Sequence, residues 1–576
     1  MPGTEGLLTH VSMSDPEAVW HESYRHPTAW DSVYPPLSVV DMFDQSAASA
    51  GKAPLIDFLG RHYSYAETLD GANRVAAGLQ ALGYGPGDRI GLFLPNAPHY
   101  LAAYYGILKL GATVVNFSPL YTVAELAHQV EDSGTRVLFT LSASALLPTA
   151  LKVLETSQLE RLIVGSIAGA LPASKSILYR LFKRKEVTPR PNDPRILSFS
   201  GLIANDGKHA PATIDPMTDV ALIQYTGGTT GTPKGAMLTH QNLSANARQV
   251  MGIDPHPNEP DRILGVLPLF HVFANTCVLN RTVLNRGCIV MLPRFEAGAV
   301  LGAITRTKAT ALPGVPTMYQ ALLDHPDITK TDFSSLRVCI SGGAPLAAEL
   351  KAKFEAATGA TVVEGYGLSE SSGVLSANPY ERPGKTGSIG QPIPSTHLRL
   401  VDKADPTQPP PPGEPGEIVA MGPQIMKGYW NRPDADGEVF VTNGAGRWLR
   451  TGDVGTIDED GFVRIVDRLK DMLSVSGFKV FPSQIEAILH HHPAVKEAMV
   501  IGLPDPYRGE QPRAYVTLNE EVAATGAELR DWLNPQLGRH ERVDDVVIRL
   551  TMPKTMIGKL SRKDLIAEVM AETPPA

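Results

Sequence analysis

Two hydrophobic periods take turns along the first part of this chain. Ser64-x-x-Glu67 has the form of a capping box. Apolar residues then recur at helical spacing through Leu69, Val75, Ala76, Leu79 and Leu82, until Gly83 stops the run. Arg89 to Leu94 reads as a short strand, Pro98 to Leu110 as a helix and Thr113 to Phe117 as a second strand. Thr122-x-x-Glu125 caps another helix that ends near Gly134, and Arg136 to Leu141 is a further strand. Strands alternating with helices at these lengths predict parallel βαβ units. The expected fold class is therefore α/β, with a large N-terminal domain of parallel-type sheets and flanking helices.

The rhythm breaks between Gly165 and Leu197. There Lys175, Arg180, Lys183, Arg184 and Lys185 surround Ile177, Leu178, Leu181 and Phe182, whose side chains share one helical face. A basic amphipathic helix suits peripheral membrane contact through residues 174–185. One short helix is weak support for that, and the preferred expectation is a surface insertion whose apolar stripe packs on its own domain. Pro406 to Pro415 is proline-rich and is expected to be a stiff loop, because Glu417 to Ala420 resumes a strand. Near the C-terminus, Ser483-x-x-Glu486, Thr525-x-x-Glu528 and Ser561-x-x-Asp564 predict capped helices, with strands at Ala498 to Ile501 and Ala514 to Leu518. This is a small α+β unit, and the expected domains are 1–467 and 468–576.

Composition narrows the function classes. A chain of 576 residues is too long for one core, so two or more domains are expected. A net charge of −8 argues against nucleic acid as a general partner. The cysteines Cys277, Cys288 and Cys339 have no CxxC spacing, which suggests a reducing compartment and neither a disulfide frame nor a zinc site. Met1 to Asp15 lacks the pattern of a signal peptide. The longest apolar run, Leu101 to Phe117, is interrupted by Lys109 and Gly111 and is too short for a span. A cytoplasmic protein is expected, with attachment to the inner face of a membrane and homodimer formation left open.

The strongest chemical signal is Tyr225-Thr226-Gly227-Gly228-Thr229-Thr230-Gly231-Thr232-Pro233-Lys234-Gly235, which follows the apolar run Val220 to Ile223. Glycines let backbone N–H groups converge on one point, and such a nest attracts anions. The threonine hydroxyls and the Lys234 ammonium extend it toward a polyphosphate. Pro233 precedes the lysine and Gly235 follows it, so this is not the Walker loop.

The run Tyr225 to His240 resembles the phosphate-binding signature of the adenylate-forming enzymes, and the chain is most similar to bacterial long-chain fatty acyl-CoA synthetases. The resemblance extends from about residue 40 to about 565 and rests on several motifs in family order. It implies that Thr226, Gly227, Gly228, Thr229, Thr230, Gly231 and Lys234 cradle ATP phosphates. In Leu267-Pro268-Leu269-Phe270-His271, it implies that His271 lines the acid pocket. Gly343, Ala344 and Pro345 would contact adenine, with Glu364, Gly365, Tyr366 and Gly367 completing the nucleotide site. Tyr366 offers a ring to stack on adenine, Ser369 a hydroxyl for the α-phosphate, and Glu370 a hard oxygen ligand for Mg²⁺. Much of the family has threonine where Ser369 stands; serine keeps the hydroxyl. Asp453 and Arg468 would hold the ribose, and Lys470 would be the pivot of a hinge at 467–471 that makes the C-terminal domain mobile. Ser476 and Gly477 would line the pantetheine tunnel, and Lys559 matches the adenylation lysine.

The implied reaction is ATP-dependent conversion of a fatty acid to acyl-AMP plus pyrophosphate, then transfer to coenzyme A. Alternatives are a medium-chain or aryl-acid ligase, acyl transfer to a carrier protein, and a nucleotide-binding sensor without chemistry. The coexistence of Glu370, Asp453, Lys470 and Lys559 speaks against the sensor. His490-His491-His492 cannot converge on one ion, because adjacent helical residues point in different directions.

Overall fold

The computed structural model describes residues 18–226, 233–443, 446–476, 478–519, 522–555 and 559–572. It is an α/β protein in which two large sheets carry the parallel units. The first sheet runs in the order Gly428–Tyr429, Lys234–Thr239, Val220–Thr226, Thr113–Asn116, Arg89–Leu92, Val137–Leu141, Arg161–Gly165 and Ile196–Ser198. From Val220–Thr226 onward its strands are parallel, while Lys234–Thr239 and Gly428–Tyr429 add antiparallel edges. Val137–Leu141 is buried at every position, as befits a parallel strand covered on both faces.

The second sheet centres on the parallel strands Thr361–Tyr366, Val338–Gly342, Ala311–Gly314, Arg262–Gly265, Cys288–Met291 and Pro54–Phe58. One continuous core joins both sheets and the helices between them. Each Leu, Ile or Val enclosed there contributes about 1.5–3 kcal/mol relative to an exposed position. A third, antiparallel sheet contains His397–Val401, Gly416–Met421, Gly446–Ile457, Phe440–Asn443 and Val463–Arg468. The proline-rich segment is the loop between its first two strands. Residues 473–546 build a separate core around the paired strands Val495–Asp505 and Gly509–Leu518. The helix Arg562–Glu572 packs on their other face.

Local signals account for many helix starts. The capping boxes at Ser64, Thr122 and Thr525 are all formed, each with its glutamate at the third helical position. Ser483 is different. The helix begins at Pro482, with Phe481 as its cap, and Ser483 lies inside it. The Ser483 hydroxyl instead donates to the Val466 carbonyl at 2.6 Å, and its N–H donates to Asp467 Oδ2 at 3.0 Å. Glu486 is taken up by Arg562 and by the N–H of Val500.

The basic segment also departs from expectation. Ala173–Phe182 is a helix, but its apolar stripe does not pack on its own domain: Ile177, Leu178, Leu181 and Phe182 are 60%, 53%, 55% and 78% exposed. Only Tyr179 of the helix leans on the core. Among the described residues no helix is long and apolar enough to cross a membrane.

Candidate active site

The first sheet delivers its chemistry at a hairpin. Val220–Thr226 and Lys234–Thr239 are antiparallel, with Thr226 opposite Lys234. The Thr226 hydroxyl donates to the Lys234 carbonyl at 3.3 Å. Gly227, Gly228, Thr229, Thr230 and Gly231 lie outside the described residues. The strand below them is anchored by Tyr225, whose hydroxyl donates to Asp132 at 2.6 Å. Asp132 also pairs with Arg432 at 2.7 Å and accepts the Trp430 indole N–H on its backbone carbonyl at 3.0 Å. The hairpin is thus clamped to the Gly428–Arg432 segment.

Glu370 lies in a short 3₁₀ turn that Ser369 opens, just after the strand Thr361–Tyr366. Its Oε1 accepts the Tyr429 hydroxyl at 2.7 Å. The Lys234 ammonium stands 5.3 Å over the same Tyr429 ring and 3.7 Å from Glu438. Tyr429 therefore links the lysine of the glycine loop to the candidate metal ligand. A cavity of about 270 Å³ opens beside them, lined by Leu368, Glu370, Tyr429, Glu438, Arg450 and Gly452. Among the described residues no cluster of three or more His, Cys, Asp or Glu side chains could hold a metal by itself. One carboxylate fits Mg²⁺ when phosphate and water oxygens complete the shell. Glu370 fits that arrangement, because Tyr429 orients its carboxylate through one oxygen.

Asp453 and Arg468 face each other across two neighbouring strands of the third sheet. The Arg468 Nε is 2.9 Å from Asp453 Oδ1, and the Tyr366 hydroxyl donates to Oδ2 at 2.5 Å. Asp453 is only 2% exposed, so two donors hold its carboxylate in place. The Asp453 charge pushes the Arg468 guanidinium up. Burial, and then Asp453, push the Tyr366 phenol well up. Burial, and then Arg468, push the Lys470 ammonium down. Gly365 sits opposite Gly342 in the sheet. Gly367 passes so close to the Gly373 carbonyl that a Cβ there would lie 2.2 Å from its oxygen.

Lys559 enters from the far end of the chain. Thr555 pins its backbone twice: the Lys559 N–H donates to Thr555 Oγ1 at 3.1 Å, and the Lys559 carbonyl accepts from the Thr555 N–H at 2.6 Å. The side chain lies over the loop that follows Val338–Gly342. A Cβ on Gly343, which has φ +83°, would be 2.6 Å from Lys559 Cε and 3.0 Å from Nζ. Ala344 and Pro345 continue that loop. Burial, and then Arg468, push the Lys559 ammonium down to about 8, with Asp453 opposing. His271 is within electrostatic reach of Lys559: burial, and then the Lys559 charge, push its imidazole down to about 3. The neutral ring accepts the Phe273 N–H on Nδ1 at 3.3 Å. Burial raises Glu364 to about 7, although the Leu346 N–H donates to it.

Lys559 thus lies against Gly343 and within electrostatic reach of His271, Asp453 and Arg468, while Glu370, Lys234 and Tyr429 form a second group beside the cavity. Ser476 is not part of either contact set. It sits in the turn joining Leu473–Val475 to Phe478–Val480, with φ +52° and its N–H on the Arg508 carbonyl. Phe478 beside it is 59% exposed. Gly477 lies outside the described residues. Sequence reasoning missed Tyr429 and Asp132. The run Gly428-Tyr429-Trp430-Asn431-Arg432-Pro433 was the available signal, because two adjacent aromatics between a glycine and an arginine fit neither hydrophobic period.

The AMP-binding enzyme family profile matches residues 43–430, and the profile of the AMP-binding enzyme C-terminal domain matches 484–559. A long-chain-fatty-acid–CoA ligase of Bacillus subtilis is 37% identical over 553 residues, covering 95% of this chain and 98% of that protein. A feruloyl-CoA synthase of Amycolatopsis is 36% identical over 507 residues, covering 88% of this chain and 94% of its own. Among solved structures, ATP-bound MatB from Rhodopseudomonas palustris superposes with TM-score 0.80 at 28% identity, over 93% of this chain and 99% of that one. The apo form of the same protein, with the same coverage of both chains, gives 0.70.

Proposed function

The chain belongs to the AMP-binding enzyme family, and from that premise we propose that it is an ATP-dependent ligase joining a long-chain fatty acid to coenzyme A. The acid's carboxylate attacks the α-phosphorus of ATP, giving acyl-AMP and releasing pyrophosphate. The CoA thiol then attacks the acyl carbon and displaces AMP.

The observation that carries the reading is Lys559 lying over Gly343, within electrostatic reach of Asp453, Arg468 and His271. A carboxylate and a polyphosphate repel each other, so the first step needs cations and oriented donors in a water-poor cleft. Lys559 supplies a charge where the transferring phosphoryl group would sit. Asp453, held by Tyr366 and Arg468, accepts from ribose hydroxyls. Thr226 and Lys234 begin and end the cradle for the outer phosphates, and Ser369 donates to the α-phosphate. Gly343, Ala344, Pro345 and Glu364 border adenine. Glu370 is the residue that would hold Mg²⁺, which when bound would neutralise charge on the phosphate oxygens. His271, kept neutral, offers a hydrogen bond to the acid. Much of the gain comes from bringing two substrates together in one geometry.

The thioester step needs a different surface of the C-terminal unit. We assign the hinge to 467–471 with Lys470 as pivot, so that Lys559 leaves and the Ser476 turn enters. The orientation described here corresponds to the first step. The greater likeness to ATP-bound than to apo MatB supports that assignment.

The relative named for feruloyl-CoA favours a second reading, an aryl acid in place of an aliphatic one. The test is a panel of acids from acetate through palmitate to ferulate, scored for AMP and thioester formation. Highest kcat/KM with palmitate is expected. Preference for ferulate would replace the fatty-acid reading, and AMP formation without CoA dependence would replace the ligase.

A further inference from the structure

We propose that the helix Ala173–Phe182 and the basic turn after it form a docking face for an anionic lipid surface. Ile177, Leu178, Leu181 and Phe182 all stay exposed, and nothing on this helix is buried. At 100° per residue they share an arc of about 140°. Lys175 lies at one border of this arc and Arg180 beyond the other, and Lys183, Arg184 and Lys185 follow Phe182 directly. Residues 173–187 carry five basic side chains and one acidic one, Glu186, a local charge of +4 in a chain whose total is −8. The segment is therefore opposite in sign to the rest of the molecule.

The helix is fastened at the border of the arc and outside it. Tyr179 leans on the core, and Lys175 Nζ donates to the Leu59 carbonyl at 2.8 Å. Just upstream, Arg61 and Tyr63 donate to the carbonyls of Gly169 and Ala170 at 2.7 and 2.9 Å. The apolar arc is thus held outward by contacts at its border and beyond it. An apolar stripe rimmed by lysine and arginine fits a lipid headgroup boundary, where apolar side chains enter the acyl region and cations stay among phosphates. Protein interfaces are by contrast depleted in lysine. Each basic residue at an anionic surface strengthens binding by about fivefold, and salt weakens it.

The face needs neither nucleotide nor acid, so its test is separate from that of the proposed reaction. The full chain is sedimented with vesicles of phosphatidylcholine alone and of phosphatidylcholine mixed with phosphatidylglycerol. Binding to the mixed vesicles is expected to be at least about tenfold stronger and to fall as salt rises. Leu181→Asp with Phe182→Asp should reduce it by about tenfold or more at an unchanged thermal midpoint. Lys183→Glu with Lys185→Glu should abolish the preference for the anionic lipid. If the aspartate pair fails to fold, Ile177→Ser with Leu181→Ser takes its place. Wild type that stays in the supernatant with mixed vesicles overturns the proposal, as does equal binding by the apolar-face variant. A wild-type dimer that dissociates in that variant, with no vesicle binding by either, would assign the face to a second copy of the chain.

Discussion

Replacing Gly343 by alanine asks whether Lys559 works from the position it holds over that glycine. The added Cβ would lie 2.6 Å from Lys559 Cε and 3.0 Å from Nζ, while Val315, at 3.8 Å, is at ordinary contact distance. Carbon atoms prefer a separation of about 3.5–4.0 Å, so the lysine tip must retreat by roughly 1 Å. The φ of +83° adds strain of about 1–2 kcal/mol to any L-residue there, which lowers stability but discriminates between no catalytic steps. A displacement of about 1 Å in a positioning group costs on the order of a hundredfold in rate. Acid-dependent ATP–pyrophosphate exchange should therefore fall about a hundredfold. Thioester formation from saturating synthetic acyl-AMP and CoA, for which no role is assigned to Lys559, should keep its kcat within about threefold of wild type, any loosened adenine contact at Gly343 showing in KM. A double-mutant cycle isolates the cause: in a Lys559→Ala background, Gly343→Ala should cost little more in exchange. Equal losses in both half-reactions, or additive losses in the cycle, would refute the idea that Gly343 is there to admit Lys559.

Other expectations follow from the same geometry. Tyr429→Phe deletes the hydroxyl on Glu370 and keeps the ring under Lys234; it should lower pyrophosphate exchange about tenfold and raise the Mg²⁺ concentration needed for half activity, and an unchanged Mg²⁺ titration would count against Glu370 as the ligand. Lys559 is charged below its lowered value of about 8 and loses its proton as pH rises through it, so kcat/KM for the first half-reaction should decline above about pH 8. Bound polyphosphate favours the charged form, so kcat should decline at higher pH, and Lys559→Arg should flatten both profiles. Asp453→Asn should raise the KM for ATP about tenfold to a hundredfold and shift the alkaline decline to lower pH, because Asp453 supports the charge on Lys559; an unshifted profile would separate the two residues.

Capping boxes at Ser64, Thr122 and Thr525 were legible in the sequence because donor and acceptor are three residues apart and close on themselves. The alternating βαβ rhythm was legible for a similar reason: burial on one helical face or along a strand has a short period. The same spacing at Ser483 and Glu486 misled, since distant groups outbid the local cap. Val466 and Asp467 take the serine, and Arg562 takes the glutamate. The apolar stripe of Ala173–Phe182 was equally plain as a pattern, but whether it packs or stays exposed is a property of its neighbours. Glu370 could be marked as a candidate metal ligand from its motif, yet Tyr429, which orients it, lies 59 positions away. Asp132 and Arg432 are 300 positions apart. Periodicity and caps are decided within a few residues, so the sequence alone determined the fold class and many of the helix starts. The lowered pKa of Lys559, the Tyr429 bridge and the outward helix depend on burial and on charges from remote segments, and those exist only once the chain has packed.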